Sequence, residues 1–484
     1  MRKILLSLIV IMVLATATGS AAQLKKSVTW ENICAHPAQL PVIGHVSHIK
    51  SDLDRPSYWS VGSETLDRDF AVFDNYIQYM GETGVGYARL QSGWAKSEPK
   101  KGKYNFEWID HQVDGLIAQG IHPWLCLCYG NPVYSDSGHD LNAGIFGDGP
   151  VMDSWLKYVR QVVKRYKGKV TMYEVWNEPD GAKPANGVKG ESWREYANLF
   201  AHTAKVIKEE DPDARIAGLA AYSFANGWFK NCLEEINRLG ALECMDYLTY
   251  HAYWSIPERI CKRVNELKSL CGEIAPHVKV LQGETGCPAQ LEYGHAMCNI
   301  EWTEYSQAKY DLRHTLLNFG MGCPSSVFTM VDLNYGWMLQ SYGLIRMNLK
   351  SEPQYKRPKF YAIQNLTSVF TTDLSHDENI HLTATSRDVP MQVIGVQRNG
   401  EPVGAILWLC GDKPSDSLER TIFNISLGGI KFKDPVYVDM LTGNVHEISR
   451  GNFFDKGKGT DIRLLPLWDC PVVIIERSAV NFEK

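Results

Sequence analysis

The stretch Tyr173-Glu174-Val175-Trp176-Asn177-Glu178-Pro179 has the pattern of a buried β-strand that ends in a carboxylic acid. Apolar residues carry the strand, and Pro179 ends its ladder because proline has no backbone N–H to donate. The Asn-Glu pair therefore lies where a strand gives way to a loop, which is where α/β enzymes place catalytic groups. A second predicted strand, 278–283, leads directly to Glu284. The two strand-end glutamates are a candidate acid–base or acid–nucleophile pair.

Outward from these two strands, short apolar strands alternate with amphipathic helices between about residues 38 and 370. We predict eight strands, at Val42–Val46, Tyr87–Leu90, Pro123–Cys128, Thr171–Trp176, Ile216–Ala221, Tyr247–His251, Lys279–Gly283 and Ser326–Val331. Helical patterns lie between them, for example at Phe106–Ala118, Ser154–Tyr166, Ser192–Glu209, Ala225–Arg238, Ser255–Leu270, Tyr305–Asn318 and Lys359–Phe370. This alternation favours an α/β fold, and a (β/α)8 TIM barrel is its closed form. An open doubly wound sheet is the alternative, but the G-x-G-x-x-G loop that normally follows its first strand is missing.

The pattern changes after about residue 371. Apolar runs of five to eight residues recur with turn signals and without a long helix, as at Met391–Val396, Val403–Leu409 and Ile422–Leu427. Asn399-Gly400 and Thr442-Gly443 fit tight hairpin turns. We predict a catalytic barrel over 38–370 and a C-terminal all-β sandwich over 371–484, packed against each other.

The first residues have the pattern of an export signal. Arg2 and Lys3 precede an apolar run from Ile4 to Leu14, which is too short to span a bilayer comfortably, and small residues follow at 20–22. We predict a signal peptide over residues 1–22 and a secreted or periplasmic protein. An uncleaved N-terminal anchor is the alternative.

Composition excludes several partner classes. The formal net charge is −5, and no run of Lys and Arg has the density of a nucleic-acid or anionic-membrane site. The chain has no His-Glu-x-x-His motif and no close set of metal ligands, so we predict neither a metal nor a cofactor. Twelve cysteines in an exported chain permit disulfides, but their pairing and the oligomeric state do not follow from the sequence.

Polar residues also gather at the ends of other predicted strands. Side chains alternate along a strand, so Thr249, His251 and Tyr253 share one face, and Arg89 is the polar member near the end of its strand. By the same alternation, Glu174 and Trp176 would point into the barrel mouth if Glu178 does. A single strand-end Glu is usually an ion-pair partner, neutralisation of a buried carboxylate such as Glu174 is the alternative to a catalytic-site role for Arg89, and a strand histidine more often belongs to the core. The clustering of the polar residues at one end favours a catalytic site.

The motifs resemble those of the clan A glycoside hydrolases. Trp176-Asn177-Glu178-Pro179, His251-Ala252-Tyr253 and Gly283-Glu284 carry the resemblance, and Arg89, Trp94 and the segment 98–104 fit the second-strand region of the same clan. The family-39 glycoside hydrolases are the most similar family, because of the His-x-Tyr strand and the trailing β domain. The chain departs from many relatives in having Thr285-Gly286 after the second carboxylate. It also has Asp332-Leu333 where a strand-end Trp is usual.

The resemblance implies a retaining glycosidase that acts on a carbohydrate. Glu178 would be the acid/base, kept protonated by a neighbouring anion, and Glu284 the nucleophile, kept ionised with help from Arg89 and Tyr253. Asn177 would bind the hydroxyl next to the anomeric carbon. A transglycosylase using the same first step and a non-catalytic carbohydrate-binding protein remain alternatives.

Other residues have a predicted place in the sugar site. His251 is a candidate substrate-binding residue. Trp94, Trp254 and Trp337 lie in or near loops after strands, where they either stack on sugar rings or only pack. The segments Gly130 to Pro150 and Cys287 to Trp302 are long enough to wall the cleft, which favours a pocket and exo action.

Overall fold

The computed structural model describes residues 24–136, 138, 149–181 and 192–484. The predicted signal peptide, residues 1–22, and residues 139–148 of the predicted cleft loop lie outside the described residues. In the part that is described, the chain forms one closed barrel and a second unit of two antiparallel sheets. The predicted fold class, a TIM barrel with a C-terminal β-sandwich, is confirmed.

Eight parallel strands close the barrel, and the last pairs with the first. We number them β1 Trp59–Gly62, β2 Tyr87–Gln91, β3 His122–Leu127, β4 Met172–Val175, β5 Arg215–Ala221, β6 Tyr247–His251, β7 Lys279–Thr285 and β8 Ser325–Val327. Their residues are almost all buried, because the barrel interior covers one face and the outer helices cover the other. This double burial explains why the strands read as nearly continuous apolar runs in the sequence.

Helices surround the barrel and follow its strands. The longer ones are Glu107–Ala118, Pro150–Tyr166, Ser192–Glu210, Asn226–Arg238, Ile260–Ile274, Glu304–Gly320 and Pro358–Val369, and short ones lie at Val28–Cys34, Ile77–Met80 and Trp94–Ser97. Two of the long helices begin with proline, whose missing N–H costs nothing in the first turn. Thr303 starts the helix Glu304–Gly320 through a reciprocal capping box with Ser306. The seven helical patterns of the sequence therefore correspond to helices with boundaries shifted by a few residues.

The first barrel strand was predicted wrongly. Val42–Val46 is a strand, but it pairs antiparallel with Asn444–Glu447 and Phe482–Glu483 in the C-terminal sheet. The first strand of the barrel is Trp59–Gly62, which pairs with β2 and β8. Its sequence, Trp-Ser-Val-Gly, is only four residues long and contains Ser and Gly, so it gives no clear strand signal. Residues 42–46 thus contribute to the sandwich and not to the barrel.

The second unit is a β-sandwich of an eight-stranded and a four-stranded sheet. The larger sheet contains, in spatial order, Leu374–Asp377, Met391–Arg398, Glu401–Leu409, Val472–Glu476, Pro435–Asp439, Asn444–Glu447, Val42–Val46 and Phe482–Glu483, and the smaller one contains His381–Thr385, Thr421–Gly428, Gly459–Leu467 and Phe453–Lys456. Asn399 and Gly400 both have positive φ, 52° and 85°, in the turn between two adjacent strands. The predicted tight hairpin is therefore present, and Asn-Gly is there because this turn needs two left-handed residues.

Buried charges join the two units. Lys309, in the barrel helix Glu304–Gly320, is fully buried, and its Nζ lies 2.6 Å from Asp469 Oδ1 of the sandwich. Trp408 of the sandwich donates its indole N–H to Glu258 of the barrel over 2.7 Å, and Arg313 pairs with the same carboxylate. The last barrel helix ends at Val369, and the next sandwich strand begins at Leu374. The predicted packing of one unit on the other is therefore observed.

Two further expectations concern export and disulfides. In the described ranges, none of the helices combines the length and the apolar character that a membrane span requires. All twelve cysteines lie in the described part of the chain and are free thiols there. Cys126 and Cys128 are both buried.

Candidate active site

Glu178 and Glu284 meet at the carboxyl end of the barrel. Glu178 follows β4 after two residues, and Glu284 is the next-to-last residue of β7. One carboxylate oxygen of each glutamate and one ring nitrogen of His251 all lie within 4.8 Å of one another. The side chain of Glu178 is 34% exposed and that of Glu284 only 11%. The two glutamates singled out in the sequence therefore form one partly open site.

The backbone between β4 and Glu178 does not continue as a strand. Trp176 and Glu178 have positive φ, 68° and 50°, and the amide of Glu178 donates to the carbonyl of Ala220. Strand alternation therefore fails here, and the prediction that Trp176 points into the barrel mouth with Glu178 is wrong. The indole of Trp176 instead packs on Trp155 of an outer helix, with ring centroids 5.7 Å apart.

Arg89 forms the electrostatic centre of the site. Its fully buried guanidinium donates from Nη1 to Glu284 over 2.9 Å and from Nε to Glu174 over 2.8 Å. Nη1 also lies 3.4 Å from Glu64. Burial alone would lower the pKa of Arg89, but the surrounding carboxylates hold it well above its usual value. Both roles considered for Arg89, contact with the nucleophile candidate and neutralisation of Glu174, are observed.

Asn177 is held next to the two glutamates by both ends of its amide. Its Oδ1 accepts from Arg89 Nη2 over 2.8 Å, and its Nδ2 donates to the Tyr129 hydroxyl over 2.8 Å. The Tyr129 ring in turn lies under the guanidinium of Arg68, 4.3 Å from the ring centre. These contacts fix the orientation of the amide, so the second Nδ2 hydrogen has a defined direction.

The three residues predicted to share a face of β6 and its extension all contact carboxylates of the site. Thr249 donates to Glu174 over 2.7 Å, His251 Nδ1 lies 3.0 Å from Glu178, and the Tyr253 hydroxyl donates to Glu284. Burial lowers the pKa of His251, but the charges of Glu284 and Glu178 outweigh it and raise that pKa overall. The same surroundings, burial first, raise the pKa of Tyr253 well above its usual value. Tyr253 therefore stays protonated and donates to Glu284 at neutral pH.

Glu64 is a site residue that the sequence did not reveal. It follows β1, is buried, and lies between Arg89 and the hydroxyl of Thr329. Burial raises the pKa of Glu64 to about 7, while the charge of Arg89 opposes this rise. Its only sequence signal is its position two residues beyond Gly62, at the end of a strand that has no clear sequence signal of its own.

The cleft above the glutamates has a volume of about 290 Å³, near the lower end of the range for ligand pockets, about 300–1,000 Å³. Its walls are formed by Thr65, Arg68, Phe70, Gln91, Tyr129, Asn177, Glu178, Tyr253, Glu284, His295, Ala296, Phe328, Tyr335, Gln340 and Tyr342. His295 and Ala296 belong to the segment from Cys287 to Trp302, so this segment lines the cleft as predicted. A second cavity at the opposite end of the barrel is lined by residues such as Tyr87, Trp124 and Tyr247 and has no carboxylate in its wall.

The predicted tryptophans have three different positions. Trp94 is fully buried, stacks on Tyr134 and Tyr158, and donates to Glu98, so its predicted contact with substrate is wrong. The position of Trp94 after a strand gives no information about this burial, because the burial depends on contacts with the distant helix Pro150–Tyr166. Trp254 is half-buried against Phe224, with centroids 5.5 Å apart. Trp337 is 68% exposed beside the cleft.

Glu178, His251 and Glu284 also have the donor types and the spacing of a metal site. However, Arg89 and Tyr253 each donate to an oxygen of Glu284, and these donors would have to give way to a cation. The guanidinium of Arg89 already places a positive charge 2.9 Å from Glu284. The donor set therefore fits the described hydrogen-bond network better than it fits an ion.

Known proteins share sequence with part of this chain. A family model described as "Glycosyl hydrolases family 39" matches residues 82–267. The "Beta-xylosidase" of Geobacillus stearothermophilus is 26% identical over 161 residues, which is 31% of this chain and 31% of that protein. The "Beta-galactosidase BbgII" of Bifidobacterium bifidum is 37% identical over 62 residues, 13% of this chain and 9% of that protein. The matches thus span less than a third of the length of these curated relatives.

Solved structures share the fold over most of the chain. A family 39 glycoside hydrolase from Bacteroides cellulosilyticus WH2 has a TM-score of 0.62 at 18% identity, covering 89% of this chain and 83% of that one. A monomeric beta-xylosidase from Caulobacter crescentus CB15 has a TM-score of 0.55 at 16% identity, covering 89% and 97%. By its sequence match over residues 82–267 and by its fold, this chain is similar to the family 39 glycoside hydrolases.

Proposed function

We propose that the protein is a retaining glycoside hydrolase in which Glu284 is the nucleophile and Glu178 the acid/base. The observation that supports this most is the approach of their carboxylate oxygens to within 4.8 Å in one cleft. Retaining enzymes hold their two carboxyl groups about 5–5.5 Å apart, whereas inverting enzymes leave about 6.5–9.5 Å for a water molecule. A separation of the nearest oxygens within 4.8 Å supports the retaining arrangement.

In the first step, a carboxylate oxygen of Glu284 attacks the anomeric carbon. The bond to the leaving oxygen breaks, its electron pair stays on that oxygen, and Glu178 supplies the proton. Arg89 and Tyr253 stabilise the ionised form of Glu284 through their hydrogen bonds. In the second step, Glu178 takes a proton from water, the water oxygen attacks the same carbon, and Glu284 leaves.

His251 and Asn177 would assist these steps from fixed positions. His251 Nδ1 faces one oxygen of Glu178, which leaves the other oxygen to meet the leaving group. The second Nδ2 hydrogen of Asn177 would bind the hydroxyl next to the anomeric carbon, a contact that strengthens in the transition state.

The roles are tested by two matched substitutions. Glu284→Gln should abolish turnover of all glycosides, because it removes the attacking group. Glu178→Gln should still form the glycosyl-enzyme from an aryl glycoside whose leaving group needs no proton, and azide should restore its turnover. Full activity of Glu284→Gln on any substrate contradicts the nucleophile assignment, and inverted product seen by NMR contradicts retention.

The sugar is best found by screening. The names of the curated relatives make aryl β-xylosides and β-galactosides the first candidates, followed by glucosides, arabinosides and polysaccharides. The small volume of the cleft favours exo action, in which one terminal sugar enters the pocket. Release of single sugars from a polymer supports this, and release of long fragments contradicts it.

A further inference from the structure

Four aromatic side chains form a continuous series that leads out of the cleft. Phe70, Tyr335 and His295 line the cleft, and neighbouring ring centroids in this order are 4.3 Å apart. The indole of Trp337 continues the series, 5.3 Å from His295 with an angle of 22° between the ring planes. We refer to these four residues as the aromatic series.

Trp337 presents one face of its ring to solvent. It lies at the tip of the hairpin formed by Leu333–Asn334 and Leu339–Gln340, and it is 68% exposed, which is unusual for so large an apolar side chain. One face rests on His295 and on Gly294, where an added Cβ would lie 2.7 Å from the indole Cη2. With 68% of the side chain exposed, the indole keeps a large surface open to a flat ligand in the described part of the chain.

Hydrogen bonds hold the segment beneath Trp337 and the hairpin that carries it. The carboxylate of Glu292, three residues before His295, accepts from the backbone N–H and the hydroxyl of Ser341. At the hairpin tip, Tyr335 donates its N–H to the carbonyl of Met338 over 3.0 Å. Stacking of a ligand on Trp337 would therefore cost little conformational entropy of the protein.

The backing of the indole is also uncharged. Burial lowers the pKa of His295, so its imidazole is neutral at neutral pH. The exposed indole face is thus apolar, wide and free of a neighbouring positive charge from His295. The apolar C–H face of a pyranose ring fits such a surface, because tryptophan offers the largest flat apolar area of any side chain.

From this geometry we infer that Trp337 forms a second sugar subsite outside the catalytic cleft. The substrate would then carry at least one more sugar ring beyond the one held between Glu178 and Glu284. This inference rests on the proposed glycosidase function. Beyond that function, the inference predicts which part of the substrate Trp337 contacts and how activity depends on substrate length.

The test compares two substrates of the sugar that the screen selects, its glycosyl fluoride and its β-linked disaccharide. Trp337→Ala should lower kcat/KM on the disaccharide about tenfold, mainly through KM, and leave the fluoride within about twofold of wild type. Trp337→Phe should restore most of the loss, because a phenyl ring keeps a flat apolar face. Gly294→Ala should cause a partial loss, because its Cβ displaces the indole.

Phe454→Ala is the matched control, since it removes another partly exposed aromatic ring, in the sandwich. It should leave both substrates unaffected. An equal loss on fluoride and disaccharide in Trp337→Ala, or no loss on either, overturns the subsite. If wild type hydrolyses no glycoside, the proposed function fails separately. Calorimetry then measures the affinity of wild type and of Trp337→Ala for β-linked disaccharides. Equal affinities of the two proteins would exclude the subsite.

Discussion

The guanidinium of Arg89 is shared among three buried or nearly buried carboxylates, those of Glu64, Glu174 and Glu284. One positive charge cannot compensate three negative ones in a medium of low polarity. Two groups reduce this excess of negative charge. Burial favours the protonated form of Glu64, and the nearby carboxylates favour the protonated form of His251. The protonation of each group therefore depends on the charge of its neighbours.

Replacement of Glu284 by Gln should lower the pKa of His251. The negative charge of Glu284 is the largest influence that raises this pKa against the effect of burial. NMR titration of the imidazole signals in wild type and Glu284→Gln measures the difference. The exposed His111, on an outer helix, serves as the internal reference. An unchanged His251 titration contradicts the assigned coupling.

Replacement of Glu64 by Gln should change how stability depends on pH. The pKa of Glu64 is about 7 in the folded protein and about 4.5 without burial. Because the folded state holds the proton more tightly, this contribution to stability is complete below pH 4.5 and is lost as the pH rises through 7. We expect the free energy of unfolding of Glu64→Gln minus that of wild type to increase as the pH rises from 4.5 to about 7.

Urea titrations at several pH values measure this difference. Glu107→Gln, on the surface of an outer helix, is the matched control and should run parallel to wild type. If Glu64→Gln also runs parallel to wild type, Glu64 does not bind a proton in this range.

At the scale of single elements, the sequence predicted local structure well and pairing partners poorly. Hydrophobic periodicity identified the helices and β2 to β8, because it follows directly from burial of one face or of both. It also found a strand at Val42–Val46, but it gave no information on the partner, which lies about 400 residues further along the chain. The candidate glutamates were found because strand ends are visible in sequence. Glu64 and the burial of Trp94 depend on contacts that are not local.

A larger side chain at Gly44 should weaken the sandwich. An added Cβ would lie 2.3 Å from the backbone oxygen of Glu483, so the pairing of Val42–Val46 with Phe482–Glu483 must shift. We expect Gly44→Ala to lower the free energy of unfolding by about 1–3 kcal/mol. Gly272→Ala, in a barrel helix with nothing within 4 Å of the new Cβ, is the matched control and should not destabilise. Equal stability of the two variants contradicts the observed pairing.

At the scale of the whole molecule, the barrel and the sandwich are joined through charges that neither could bury alone. Lys309 Nζ donates to the carbonyls of Ser415 and Ser417 as well as to Asp469. Arg313 contacts both Glu258 and the carbonyl of Asp412. Separation of the two units would leave these cations on the barrel without their sandwich partners.

Lys309→Met should therefore destabilise the protein by about 3 kcal/mol, because it removes one partner of a largely buried ion pair. Urea unfolding measures the loss, and calorimetry shows whether the two units then melt separately. Lys262→Met is the matched control, because Lys262 pairs with Glu266 at the surface with 84% of its side chain exposed. It should change stability by no more than about 0.5 kcal/mol. Equal effects of the two variants contradict a structural role for the interface charge.

The position of Val42–Val46 has a consequence for biosynthesis. This strand is translated before the barrel, yet its two neighbours, Asn444–Glu447 and Phe482–Glu483, are translated after the barrel. During synthesis it must stay available while the barrel forms, and the larger sheet is completed only after Phe482–Glu483 has left the ribosome. Deletion of Val42–Val46 or of Phe482–Glu483 would therefore remove a strand from the same sheet, so both deletions should destabilise the sandwich.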